Sequence, residues 1–185
     1  MDLHAGSAVE SVALLLDRCV AGEPAAWRWL HARYYRTAVC VLRRLGVAPH
    51  QLEDCCQDVF LDVFRSLGGF RHEADFRTWL YRICVGRARV ARRRTKVARI
   101  LDNLFASNVE EAGEAPLDEG RASRQLGKAL ECLSDAERAV FVLFELEGLS
   151  GREVAEIVGC TEASVFRRLH HARKRFRAVV EEQEP

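Results

Sequence analysis

The chain has 185 residues, 49% of them hydrophobic and 30% charged, enough for one globular domain or two small ones. Its net charge of only +1 conceals segregation: eight basic and no acidic residues from Arg82 to Arg99, then six acidic and no basic ones from Asp102 to Glu119, then basic residues alone from Arg167 to Arg177. No apolar run is long enough to span a bilayer and no signal-peptide pattern opens the chain, which argues against membrane insertion and predicts a cytoplasmic protein.

Apolar residues recur at helical spacing from Val9 to Val20, where Val12, Leu15, Leu16 and Cys19 share a face, and Gly22-Glu23-Pro24 ends that helix. Pro24 suits the first turn of a second helix running through Trp27, Leu30, Tyr34, Ala38, Val41, Leu42 and Leu45. After the break at Gly46–Pro49, a third helix spans His50 to Leu67, with Leu52, Cys56, Val59, Phe60, Val63, Phe64 and Leu67 as core candidates. Asp54, Gln57, Asp58 and Leu61 stand at i, i+3, i+4 and i+7 and form one surface, either solvated or facing a basic partner.

Gly68-Gly69 opens a loop through His72 and Ala74. Asp75 is the expected N-cap of a fourth helix, in which Phe76, Trp79, Leu80, Ile83 and Cys84 pack inward before the chain turns basic at Arg87, Arg89, Arg92, Arg93 and Arg94. Basic residues beside Phe70, Phe76, Trp79 and Tyr81 suit a surface that holds phosphates and stacks bases; most of the rings read as core, and the preceding loop is the better candidate for base contact.

Residues 101–123 read as a flexible acidic linker between a first domain, 1–100, and a second, 124–185. Helical patterning resumes through Leu126, Ala129, Leu130 and Leu133, and Ser134 with Glu137 forms a capping box. Ser150 with Glu153 forms another, Gly159 supplies a C-cap, and Thr161 starts a last helix whose Val165, Leu169, Ala172 and Phe176 form a buried stripe. The opposite face carries Ala163, Arg167, His170, His171 and Lys174, with Arg168, Arg173 and Arg175 on its flanks. A solvated basic helix in a plain bundle would share this charge. The tight glycine turn between two separately capped helices favours a DNA-binding helix-turn-helix. No segment shows sustained strand alternation, so the fold class is all-α: two small helical domains, the second a helix-turn-helix domain.

The seven cysteines include no C-x-x-C pair, and Cys19, Cys40, Cys84, Cys132 and Cys160 fall among apolar residues, so they read as reduced and buried. Cys55 and Cys56 point about 100° apart on a helix and are ill placed to grip one metal; redox or metal sensing there is the alternative. No phosphate loop, metal-ligand spacing or catalytic triad pattern appears, so no enzymatic activity, metal or cofactor is expected.

Two stretches together are similar to one family. LEDCCQDVFLDVF (Leu52–Phe64) followed by FRTWLYRI (Phe76–Ile83) resembles the second conserved region of bacterial RNA polymerase sigma factors, and Leu133 to Phe176 resembles the fourth. With only these two regions and a short linker, the chain resembles an extracytoplasmic-function (ECF) sigma factor. The resemblance implies that Asp54, Gln57, Asp58 and Leu61 dock on core RNA polymerase, which is contacted at its clamp helices and flap. It implies that the Gly69–Asp75 loop captures an extruded base, and that Arg71, His72, Arg82, Arg87, Arg89, Arg92 and Arg93 serve the downstream (minus-ten) promoter element. Ala163, Phe166, Arg167, Arg168, His170, His171 and Lys174 are then the readers of the upstream (minus-35) element, and an anti-sigma factor is an expected partner. The chain departs from the family's common residues at Gly86, Val90 and Phe166-Arg167. The competing reading, a stand-alone helix-turn-helix regulator with a ligand- or partner-binding N-terminal domain, leaves the Asp54–Leu61 surface without a purpose.

Overall fold

A computed structural model describes residues 12–71, 75–104 and 121–181, of which residue 99 and residues 101–104 and 121–124 are described in backbone only. The order is α1 (Val12–Val20), α2 (Pro24–Arg44), α3 (Leu52–Ser66), α4 (Phe76–Leu104), α5 (Arg121–Glu131), α6 (Asp135–Phe141), α7 (Gly151–Val158) and α8 (Glu162–Glu181), with no strand among the described residues. The all-α reading therefore holds. The helical pattern persists further than expected at the linker's two ends, since α4 continues to Leu104 and α5 already starts at Arg121. The remainder of the expected linker, residues 105–120, lies outside the described residues, as do residues 9–11 of the first expected helix.

In the first half α3 packs on α2 and α4, and α1 lies against α2. Leu30, Ala38, Val41, Leu42, Val59, Val63, Leu80 and Cys84 are wholly buried between them. Apolar burial at about 25 cal/mol per Å² is the main force closing this bundle. Asp75 caps α4 as expected: its carboxylate accepts from the Arg77 backbone N–H at 2.7 Å. Among the core candidates of α3, Phe64 fails. It is 62% exposed, because α2 and α4 cover only the Cys56–Val59–Val63 face of α3, and Phe64 stands at the rim, 4.9 Å from the Trp27 ring. Cys55 takes a buried place instead.

The second half wraps α5, α6 and α7 around α8. Both expected capping boxes form: Ser134 with Glu137 starts α6, and Ser150 with Glu153 starts α7. Between them the chain makes a π turn, Val142–Leu146, which the sequence pattern did not announce. Gly159 ends α7 at φ 75°, a left-handed conformation that costs glycine little. Cys132, expected to be buried, is exposed beyond the end of α5, while Cys40 and Cys160 are half-buried.

Candidate nucleic-acid interface

The last helix, α8, is fixed from behind. Val165, Leu169 and Ala172 are buried, and Phe176 stacks on Phe141 with centroids 4.7 Å apart. Thr161 caps α8, its hydroxyl oxygen accepting from the Ser164 N–H at 3.3 Å. Ala163, Arg167, His170, His171 and Lys174 are all exposed on the opposite face, so the structure brings together the upstream set that the periodicity picked out. The other members differ. Phe166 is half-exposed and turns toward α7, where its ring lies 2.8 Å from the place a Gly151 side chain would occupy and meets the edge of Phe144. Arg168 is half-buried and faces the first domain. Of the flanking arginines, Arg173 bonds Glu145 at 2.6 Å and Arg175 bonds Glu137 at 3.2 Å.

The α4 basic set also divides. Arg71 and Arg82 are exposed, Arg93 is exposed with Arg94 beside it, and His72 lies outside the described residues. Arg87 is different: it grips Asp62 through two nitrogens and Asp58 through a third contact at 3.1 Å. The bond to Asp62 raises the Arg87 guanidinium further above its ordinary range, so this arginine is a fastening between α3 and α4. Arg89 donates to the Val158 carbonyl at 3.2 Å, and Arg92 bonds Asp135 at 2.5 Å and the Gly46 carbonyl at 3.1 Å. Both acceptors beyond Gly46 belong to the second half of the chain.

On α3 the expected surface exists: Asp54 and Gln57 are exposed, Leu61 is 47% exposed and Asp58 is partly covered through its bond to Arg87. Phe64 extends it with an aromatic ring. Directly beneath, burial pushes the Cys55 thiol up, and burial with the neighbouring Cys55 charge pushes Cys56 up to about 11. Thiols held protonated are poor nucleophiles and poor metal ligands, which speaks against a sensing role. Among the described residues no group of three or more His, Cys, Asp or Glu side chains is placed to hold a metal ion.

Sequence reasoning missed the seam where the two halves meet. Glu147, its side chain 8% exposed, accepts from Arg44 at 2.7 Å and from the Tyr81 hydroxyl at 2.5 Å, with Arg77 3.6 Å away. Burial, then the bond to Glu147, pushes the Tyr81 phenol up to about 12, so it stays a donor at neutral pH. Thr78 reaches Glu153, the α7 capping residue, at 3.4 Å. Arg138 is buried with its guanidinium against Gly46; burial and the like charge of Arg92 push it down to about 10. The partners of Glu147 lie 66 and 103 residues away in sequence, so no local pattern signals them.

A helical protein whose capped helix-turn-helix exposes a basic face on its last helix, with a second basic helix in the same chain, has the layout of a DNA-binding protein of the helix-turn-helix class. Residues 30–97 match the family model for sigma-70 region 2 and residues 123–176 that for sigma-70, region 4. The ECF RNA polymerase sigma-E factor of Escherichia coli (strain K12) is 30% identical over 172 residues, 87% of this chain and 90% of the relative. The solved structure of CnrH in complex with the cytosolic domain of CnrY superposes with a TM-score of 0.69 at 23% identity, covering 92% of this chain and 97% of the other. The sigma factor RpoE in complex with the anti-sigma factor NepR, from Bartonella quintana, gives 0.68 at 20% identity, covering 85% and 98%. This chain belongs to the ECF RNA polymerase sigma factor family.

Proposed function

We propose that the chain directs core RNA polymerase to promoters through three surfaces. Asp54, Gln57 and Leu61 on α3, joined by Phe64, dock on the polymerase. Arg71, Arg82, Arg89, Arg92 and Arg93 hold the phosphates of the downstream element as it melts, within a first domain spanning residues 1–100. Arg167, His170, His171 and Lys174 read the upstream element from a second domain, residues 124–185. The observation that carries this reading is the exposed basic face of α8, presented by a capped helix-turn-helix in the same chain as a second basic helix. A protein of this family is a non-enzymatic initiation factor.

Two small DNA-binding domains on one chain suit two separated elements, because the first contact raises the effective concentration for the second. The RpoE structure contains an anti-sigma factor, and a partner of that kind is proposed here, covering the DNA- and polymerase-binding faces. None of the described helices is long and apolar enough to cross a membrane, and a factor serving polymerase works in the cytoplasm. Run-off transcription with purified core polymerase tests the assignment: promoter-specific transcripts are expected only when the chain is added, and their absence across a promoter library refutes it.

A further inference from the structure

We infer that the free chain is latched shut: its second domain occupies the basic face of α4, with Glu147, Tyr81 and Arg44 as the latch, and promoter phosphates must displace that domain. The inference rests on the reading of α4 as a phosphate-holding helix.

The seam is built from charge. Glu147 projects from the end of the π turn into the first domain, where Arg44 and the Tyr81 hydroxyl donate to its two oxygens. Glu153 adds the contact to Thr78, itself 5% exposed. Further along α4, the second domain meets two arginines with the groups a phosphate would offer. Asp135 takes Arg92 as a carboxylate, and the Val158 carbonyl, at the negative end of α7, takes Arg89. A guanidinium aimed at one of these acceptors is not free for a phosphate oxygen on the same side, so closure and phosphate binding draw on the same donors.

The same seam contains what loosens it. Arg138 and Arg92 crowd around Gly46, each with a terminal nitrogen within about 2 Å of where a side chain would begin, and Arg138 keeps one buried nitrogen without a partner. Beside them Arg89, Arg93 and Arg168 line a cleft of about 270 Å³ that also contains Asp135, already bound by Arg92. Arg93 and Arg168 have no partner among the described residues. A polyanion entering this cleft meets unneutralised cations first and relieves a like-charge contact as the domains part. The latch thus favours closure, and the arginine cluster makes opening responsive to nucleic acid.

The test uses the full chain in three variants. Tyr81→Phe removes one latch bond without changing charge. Glu147→Gln removes the latch charge. Glu156→Gln removes the same charge from α7 at an exposed site paired only with Arg152 on its own helix, and serves as control. Small-angle scattering reads shape, and fluorescence anisotropy reads affinity for a random-sequence single-stranded oligonucleotide. Wild type and Glu156→Gln should scatter near the radius of about 16 Å expected for a compact chain of this length. Tyr81→Phe and Glu147→Gln should expand and bind DNA about 5- to 150-fold more tightly, the usual range for coupled equilibria. Latch variants that stay as compact as wild type, an already extended wild type, or expansion with affinity no higher than that of Glu156→Gln would each overturn the inference. Adding Arg92→Ala to the open variant examines the phosphate role separately. Unchanged DNA affinity there refutes that role, while scattering still decides the latch.

Discussion

Arg167 and Arg175 stand about two turns apart on α8 and do different work. Arg175 is tied to Glu137, whereas Arg167 is exposed near the helix start with no partner among the described residues. Recognition helices meet base edges near their N-terminal ends, and arginine reads guanine through two hydrogen bonds worth about 1–3 kcal/mol of discrimination. Arg167→Ala should therefore relax the preference at one upstream position, a G·C pair, when promoter libraries are selected with both proteins; identical preferences would place the reading elsewhere. The exposure of Arg167 was legible because helical period alone separates it from the Val165–Leu169 stripe. The sequence could not say which cations were free: the acceptors of Arg173 and Arg175 come from 28 and 38 residues away, and that information exists only after packing.

At the scale of elements, what was legible was local. The capping boxes were readable because donor and acceptor sit three residues apart, and both formed. They also carry a pH dependence. The Ser150 hydroxyl, then its backbone N–H, hold the Glu153 carboxyl below the usual value of 4.5. A carboxylate depressed on folding contributes stability above its unfolded value and loses it as pH falls through the folded one. Thermal unfolding followed by circular dichroism should show the chain losing stability as pH drops below about 4.5, with a smaller loss in Glu153→Gln; equal pH profiles would show that the box carries no charge-dependent stability. α3 was only partly legible. Asp54, Gln57 and Leu61 stand exposed as the spacing implied, but Asp58 is partly covered by Arg87 and Phe64 was misread as core, because the pattern gives the direction of an apolar stripe and not how much of it neighbours cover. Asp54→Arg, at an exposed position clear of the Arg87 fastening, should abolish capture of core polymerase in pull-downs while leaving the helical spectrum unchanged. Like charge against a basic partner costs several kcal/mol. Retained capture would remove α3 from the docking surface.

For the molecule as a whole, the fold class and the order of its two halves were open to reading, and the way they sit together was not. Charge runs looked like solvated or DNA-facing surface, yet Arg89 and Arg92 spend their hydrogen bonds inside the chain. Arg93 and Arg94 remain exposed, so their removal reports on phosphate binding without disturbing the seam's bonds. Replacing each with Ala should weaken every promoter complex alike and lower the slope of log affinity against log salt by about 0.7–0.9 for each phosphate left unneutralised. A shift in sequence preference at constant slope would mean that these side chains read bases.

The π turn at Val142–Leu146 has a consequence for how this region tolerates insertions and deletions. Its i→i+5 ring, closed by the Glu147 N–H on the Val142 carbonyl at 3.0 Å, holds one residue more than an α-helical ring, and Glu147 reaches the first domain from that register. Removing a single residue would restore ordinary winding and rotate the following chain by about 100°. Glu147 would swing away from Arg44 and Tyr81, although every side chain of the latch would still be encoded. Descendants of such a gene could thus unfasten their two domains by a change of length alone, leaving the composition of both DNA-binding surfaces intact.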